Sequence, residues 1–497
     1  MPWLTLGVLA ACTDPVAGES GDSALDPRLE LGPVQRCEQP GELAYAEVGQ
    51  AQGLVPPGVV PEHMEDAGTL LLTDLDGDGH PELLHGWFDE FLLVHGLGGP
   101  EPWSERLPFG VAGLVVLPET GHLAFLSEGL FMVDPGSWTV KGLVEGEIDG
   151  RLRSPSVGDF DGDGVPDLFV PRGHPEDPAQ RTDLVLWGRG GDAFVLEELP
   201  VSLSGEAFDS QALDWNGDGL LDVYVDNDRG ETRGHNQLFV GGAHGLEAAT
   251  DQCGACNLAH SGMGAHAGDV NGDGAPDLLL AGTRYAELLL STGPGAPLVQ
   301  QPSSVLPDLG SAGMYWGGVI TDVDNDGRPD LWLATGPQSY PELGTGVVVG
   351  DPTPPVLALQ QADGGFVDAA ASLGLAEPGV WRATLAWDLN GDGVLDLLLG
   401  SATERPLLFM SQGCTENAWL QVDGPEGTRV EVETAAGVQV GWVSAEQGYE
   451  SRAPARLHLG LGPHEEILSL RVRVPGEAQS HSAGPLEARR VITVQTD

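Results

Sequence analysis

The chain has 497 residues, 41% of them hydrophobic, with 75 acidic against 22 basic side chains and a formal charge of −53. A polyanion whose one lysine is Lys141 repels nucleic acid and anionic lipid headgroups, which argues against both as partners. Glycine is abundant (73 residues) without a collagen period and aromatics are few, so many turns are expected, as in an all-β chain.

In chain order, the N-terminus comes first. Its apolar run ends in Leu9-Ala10-Ala11-Cys12 and resembles a bacterial lipoprotein signal over residues 1–12, although a basic n-region is absent. That resemblance implies lipidation at Cys12, export, and a place on the outer membrane or cell surface of a bacterium, with membrane contact through the lipid anchor alone. Nothing later is apolar for long enough to span a bilayer. Residues 13–36 are polar, rich in Gly, Pro and acids, and without periodicity, which predicts a flexible tether. Cys37, Cys253, Cys256 and Cys414 remain, an even number that suggests two disulfides in an exported chain. Three connectivities stay open. Cys253 and Cys256 are close enough to pair locally, and Cys37 with Cys414 would bracket the region between them.

That region is an internal repeat. The copies begin at Asp74-Leu-Asp76-Gly-Asp78-Gly-His80-Pro-Glu82 and Asp159-Phe-Asp161-Gly-Asp163-Gly-Val165-Pro-Asp167. Asp214-Trp-Asn216-Gly-Asp218-Gly-Leu220-Leu-Asp222 and Asp269-Val-Asn271-Gly-Asp273-Gly-Ala275-Pro-Asp277 follow. Asp322-Val-Asp324-Asn-Asp326-Gly-Arg328-Pro-Asp330 and Asp388-Leu-Asn390-Gly-Asp392-Gly-Val394-Leu-Asp396 complete the set. The gap after the first copy is the longest, and within it residues 116–126 keep the rhythm without the acids, as a copy that has lost its loop. Apolar runs too short for helices flank the loops, for example Leu70-Leu-Leu before and Leu278-Leu-Leu after. Seven strand–loop–strand units predict a seven-bladed β-propeller over 37–414. From Cys414 onward the pattern changes to alternation, as in Arg429-Val-Glu-Val-Glu, and predicts a small C-terminal β-sandwich over 415–497.

Oxygen-bearing side chains fall at loop positions 1, 3 and 5, with Gly at 6 and an acid at 9. Ca²⁺ takes six to eight hard oxygens, and a tight loop aims alternate side chains inward. Glycine at position 6 permits the bend. Position 7 is variable (His80, Val165, Leu220, Ala275, Arg328, Val394), which suits a ligand that is a backbone carbonyl. These are not EF-hands. Position 12 is never acidic and the flanks are strands, so the ninth-position acid closes the cage. About six Ca²⁺ are expected, and Mg²⁺ suits so crowded a carboxylate cage less well.

The loops resemble the FG-GAP/VCBS repeats of integrin-α-like propellers. The C-terminal region resembles the ASPIC/UnbV domain that follows such repeats in cartilage acidic protein and its bacterial relatives. Asn417-Ala-Trp419-Leu-Gln-Val, Gly427-Thr-Arg-Val, Gly448-Tyr449-Glu-Ser451 and Leu457-His458-Leu-Gly460-Leu-Gly462 carry the second likeness, and Gly262-Met263-Gly264 adds to the first. A Trp-Pro-Ser-Gly segment of that domain is reduced here to Val474-Pro475-Gly476. The resemblance implies extracellular calcium binding and adhesion or recognition, without a single biochemical activity.

No GxSxG, HExxH or P-loop occurs. Cys253 and Cys256 admit a redox or, with His260 and His266, a zinc reading besides a local disulfide. The expectation is therefore a monomeric, non-catalytic recognition or adhesion module that binds an extracellular protein or glycan on a propeller face or in its central channel. The alternative is a propeller enzyme acting on extracellular glycans, which needs a His, Tyr or Arg cluster in that channel.

Overall fold

A computed structural model of the chain describes residues 25–495, apart from 38–39, 56–66, 88–90, 98–102, 109, 127–128, 145–147, 149–150, 174–181, 201–204, 229, 231–233, 257, 259, 284, 303–305, 307–312, 340–347 and 350. The signal segment with Cys12, and residues 13–24 of the expected tether, lie outside the described residues.

The described elements are all strands. Among the described residues five sheets of the ring are four-stranded and antiparallel, one more carries a fifth short strand, and the four strands of 67–107 belong to a nine-stranded sheet shared with the C-terminal region. Each begins with a buried strand and ends with a short, polar one. In the first sheet Ala67–Thr73 leads through Glu82–Trp87 and Phe91–Gly96 to Trp103–Leu107, whose side chains are mostly exposed. The second runs from Gly113–Val116 to the fully exposed Thr139–Gly142. The next four begin with Ser156–Gly158, Ala207–Leu213, Gly262–Gly268 and Gly313–Thr321.

The seventh sheet is completed from far away in sequence. Its strands Trp381–Trp387, Asp396–Ser401 and Leu407–Ser411 accept Tyr45–Glu47 as the fourth. Tyr45 pairs with Ser411, and the neighbouring Cys37–Cys414 disulfide ties the same ends together.

Apolar layers close the ring. Leu84 and Val94 of the first sheet pack with Leu123 and Phe125 of the second, and Val115 and Ala124 of the second with Leu168 and Leu186 of the third. The series continues through Phe169 with Val223, Tyr224 with Leu280, Leu279 with Leu331, and Trp332 with Leu397. Leu385 and Leu398 of the last sheet then pack on Leu70 and Leu83 of the first. Each sheet buries both faces against neighbours, which is why its second strand reads as an unbroken apolar run rather than as alternation.

The leading strands enclose the central channel, and polar side chains stitch them to one another. Ser156 Oγ bonds Ser210 Oγ at 2.9 Å, the Ala265 amide donates to Asp209 Oδ2 at 2.9 Å, and the Ile320 amide donates to His266 Nδ1 at 3.2 Å.

Residues 418–494 form two sheets around a separate core that includes Leu420, Val430, Val432, Leu470 and Ile492. One sheet holds Ala418–Asp423, Ser451–Gly462 and Arg490–Val494, and the other Arg429–Thr434, Gly437–Trp442, Ser469–Arg473 and His481–Ala483.

Two sequence expectations are corrected here. Residues 25–36 are not tether. Leu29–Leu31 forms an edge strand of the sandwich, with Leu29 opposite Val494 and Leu31 opposite Ile492. Arg28 Nη1 pairs with Glu477 Oε1 at 2.6 Å and His481 Nδ1 bonds Asp26 Oδ2 at 3.1 Å. Burying Leu29 in the sandwich core outweighs the polar composition around it. Secondly, the central channel is filled by the chain itself. The hairpin from Ser444–Glu446 into Ser451–Gly462 leaves the sandwich and enters the ring, where Ser451 and Arg452 pair in parallel with Leu70 and Leu71.

Candidate metal loops and the plugged channel

Every acidic loop joins the leading strand of a sheet to the second strand, so all six lie at one end of the ring. Positions 4 and 6 both adopt left-handed backbone. In the second loop Gly162 has φ 74° and Gly164 φ 86°. In the fifth loop Asn325 stands at position 4 with φ 61°, a conformation asparagine tolerates better than other side chains. The two reversals turn the amides of positions 4 to 6 inward onto the first aspartate. Gly162 N–H donates to Asp159 Oδ1 at 2.8 Å and Gly164 N–H to Oδ2 at 2.9 Å. The same pattern is met at Asp74, Asp214 and Asp269, and at Asp322 and Asp388 with the amides of positions 5 and 6. Position 3 accepts from the amide of position 5, as Asp161 from Asp163 at 3.1 Å. Position 5 accepts from the amide of position 7, as Asp163 from Val165 at 2.9 Å. Thus the backbone amides orient the side-chain carboxylates and amide oxygens within each loop.

The ninth-position acid opens the second strand and braces the loop on both oxygens. Asp167 Oδ2 accepts from Phe160 N–H at 3.0 Å and Oδ1 from Gly188 N–H, on the third strand, at 2.7 Å. Asp222, Asp277, Asp330 and Asp396 repeat this double anchorage. Glu82 reaches the Leu75 amide at 2.8 Å. The spacing alone assigned this acid only the role of a ligand. Its bracing role depends on the third strand, which no local motif announces.

The donor sets fit a hard divalent cation. In three loops the ligand oxygens of Asp74, Asp76 and Asp78, of Asp159, Asp161 and Asp167, and of Asp322, Asp324 and Asp330 lie within 4.8 Å of one another. Oxygens that close can share one ion at Ca²⁺ bonding distances of about 2.3–2.6 Å. In the third and sixth loops Asn216 and Asn390 instead donate to Asp218 and Asp392, at 2.9 and 3.0 Å. In the fourth, Ser291 Oγ lies 3.1 Å from Asp273, and Asn271 Nδ2 donates to the Ser291 carbonyl at 2.9 Å. The Arg328 guanidinium pairs with Asp326 in the fifth. His80, Leu220, Ala275 and Val394 occupy position 7 with their amides turned to the loop, as at Leu220 and Ala275, leaving the carbonyl as their available oxygen.

Without a cation these carboxylates resist ionisation. Burial, with neighbouring aspartates adding to it, pushes Asp167, Asp222 and Asp277 up to about 7 and Asp388 to about 6. Asp322, Asp330 and Asp396 are raised for the same reasons. A divalent ion supplies the missing charge.

The acid-free copy is a plain hairpin between Gly113–Val116 and Leu123–Leu126. Its turn is tied to the third sheet by a hydrogen bond in place of a cation site, His122 Nδ1 to Asp192 Oδ2 at 2.8 Å.

The plug makes the channel a packed interior. Glu446 Oε2 accepts from the Ala212 amide at 2.8 Å, and His266 Nε2 donates to the Glu446 carbonyl at 3.1 Å. Gln447 Oε1 accepts from the Ala386 amide at 3.2 Å, and Thr69 Oγ1 donates to Glu450 Oε2 at 2.7 Å. Tyr449 packs with Phe208, Met263, Met314 and Trp316. The Gly-Met-Gly stretch now has a physical reason, because a Cβ on Gly264 would sit 2.7 Å from the Tyr449 nitrogen. The aromatic and basic groups that an enzyme reading wanted in the channel, His266, Tyr449 and Arg153 among them, are engaged with the hairpin or by burial; Arg153 faces Glu450 at 3.6 Å.

Cys253 and Cys256 form a disulfide in the layer between the fourth and fifth sheets. His260 bonds the Ala281 carbonyl at 3.2 Å and His266 the hairpin, so neither turns to the cysteines as a zinc ligand.

A ring of four-stranded sheets with acidic loops at one end defines a β-propeller. Residues 233–333 match the family model of the FG-GAP-like repeat, and residues 425–497 that of ASPIC and UnbV. The chain therefore carries FG-GAP-like repeats and a C-terminal ASPIC/UnbV domain. Similar solved structures include BBS1N in complex with ARL6DN, at 11% identity and TM-score 0.43 over 70% of this chain and 93% of that one. The N-terminal domain of Nup159 is also similar, at 7% identity and TM-score 0.42 over 76% and 98%. No curated protein matches the chain.

Proposed function

We propose that the protein is an exported, calcium-stabilised propeller that serves as a non-catalytic recognition or adhesion module at the bacterial surface, held there through a lipid on Cys12. The observation that carries the calcium reading is the repeated loop whose oxygens converge while its amides hold them in place. The plugged channel supports a binding rather than a catalytic role, since a substrate would have to displace the hairpin. An extracellular protein or glycan then binds an outer surface, and the module works as a monomer.

Melting the protein with and without a chelator tests the calcium reading. Each filled loop contributes about 2.7 kcal/mol when free calcium is 100-fold above its dissociation constant. Removal of calcium is expected to lower the melting temperature by many degrees, and an unchanged transition would refute structural cation sites. Screening the calcium-loaded protein on arrays of glycans and extracellular proteins tests the recognition reading, and turnover of an arrayed glycan would replace it.

A further inference from the structure

The cation loops do more than stiffen their own sheets, because the sandwich sits directly on them. In the fifth loop Asn417 Nδ2 donates to the Asp324 carbonyl at 3.0 Å, Gly462 N–H to the Asn325 carbonyl at 2.8 Å, and Gln439 Nε2 to the Gly327 carbonyl at 3.2 Å. His458 Nε2 bonds Asn325 Oδ1 at 2.6 Å. In the sixth loop Gln421 Nε2 donates to Asp388 Oδ2 at 3.1 Å. In the third, Arg473 Nη2 donates to the Asp218 carbonyl at 2.8 Å and Gly476 N–H to the Gly219 carbonyl at 3.0 Å. One short loop thus uses its two sides differently. In the third and fifth loops the amides face the cation position while carbonyls of positions 3 to 6 face outward on the sandwich, and in the sixth the sandwich instead holds the first carboxylate, Asp388.

We propose that calcium in the third, fifth and sixth loops latches the C-terminal domain, and with it the hairpin that fills the channel, so that cation occupancy and channel closure are thermodynamically linked. This rests on reading the loops as calcium sites. Loss of the ion leaves three or four carboxylates facing one another, the loop backbone relaxes away from that repulsion, and the outward carbonyls lose their register with Asn417, Gln439 and Gly462. The hairpin runs into the sandwich through Ser451–Gly462, and Glu426 accepts from Ser444 Oγ at 2.7 Å and from the Ala445 amide at 2.8 Å, so the hairpin moves with the domain and releasing the domain lets it withdraw. The inner strands, among them Gln211, His266 and Thr384, then become open to a ligand.

The first loop provides an internal control. Asp74, Asp76 and Asp78 are exposed, and nothing lies within 4 Å of a Cβ built on Gly77 or Gly79. Hydrogen exchange on the full chain, paired with calorimetric calcium titration, separates the possibilities. Asp324→Ala is expected to lose one cation and to speed exchange of the 446–451 amides about tenfold, within the usual span of coupling between two sites. Asp76→Ala is expected to lose one cation and leave those amides unchanged. Asn417→Ala removes no carboxylate and is expected to loosen the hairpin with calcium present and, by reciprocity, to weaken one site's affinity. An unchanged cation count in Asp324→Ala would refute the calcium reading of that loop. A reduced count with unaltered hairpin exchange, or equal loosening by Asp76→Ala, would overturn the latch. If Asp324→Ala fails to fold, the chelated wild type and Asn417→Ala decide between the same outcomes.

Discussion

Asp167, Asp222 and Asp277 contribute to the pH behaviour of the calcium-free protein. Their folded-state values of about 7 stand well above the roughly 3.9 of an aspartate in an unfolded chain. The folded state therefore holds its protons more tightly than the unfolded state. That stabilisation is complete below about pH 4 and is lost as pH rises through about 7. Desalted, calcium-free protein is expected to melt progressively lower as pH rises from about 4 toward about 8. Saturating calcium reduces the decline, because the ion stabilises the loop anions, while Asp183, Asp209 and Glu426, pushed up to about 7 by burial outside the loops, keep their part of it. Coincident pH profiles with and without calcium would contradict the assignment. At this scale the carboxylates were plain in the sequence, since their spacing is the motif. Asn325 was not. It is the one position-4 residue that is not glycine, and this departure was the available signal. Its side chain spans the fifth loop, the Gly393 carbonyl of the sixth at 2.8 Å, and His458 of the sandwich. Burial holds His458 down at about 3, so the imidazole stays neutral and serves as a strut, with Gln421 donating to its Nδ1.

The sheets differ in what holds their inner turns. Asp163→Ala is expected to remove one cation, to destabilise the third sheet by about 2.7 kcal/mol at calcium 100-fold above its dissociation constant, and to leave five sites in a calorimetric titration. His122→Ala breaks a partly exposed pair, so about 1 kcal/mol or less is expected, with the cation count untouched. A change of count in His122→Ala would mean that the second sheet has a site after all. The second strand of each sheet was legible, because it starts at the ninth acid and both its faces are buried. The outermost strands, such as Thr139–Gly142, were not, since an exposed edge leaves no apolar pattern. Leu29–Leu31 was missed because three residues are too few to show a period, and its partner lies at the opposite end of the chain. The hairpin was hidden for a related reason. Gly448-Tyr449-Glu-Ser451 announced a family likeness, but only the folded ring reveals the cavity it fills.

The whole ring is closed twice by non-local contacts. Tyr45–Glu47 completes the seventh sheet, and Cys37–Cys414 spans a separation of 377 residues. A bridge around so long a loop contributes about 6 kcal/mol in the chain-entropy account. Cys414→Ser is expected to melt earlier and to show its first increase in hydrogen exchange at Tyr45–Glu47 and Leu407–Ser411. Unaltered melting would mean that strand pairing alone seals the ring.

The strand Ser451–Gly462 has a consequence for how the molecule is made. Its first residues complete a pairing begun at Leu70, and its later ones receive Ala418–Asp423, while Leu29–Leu31 waits for Arg490–Val494. A chain emerging N-terminus first therefore presents an open sheet edge near residue 30 until Arg490–Val494 arrives, and a ring with a hollow axis until Ser444–Gly462 arrives. Loss of Arg490–Val494 would therefore leave an unmatched edge at the very place where the first strand began.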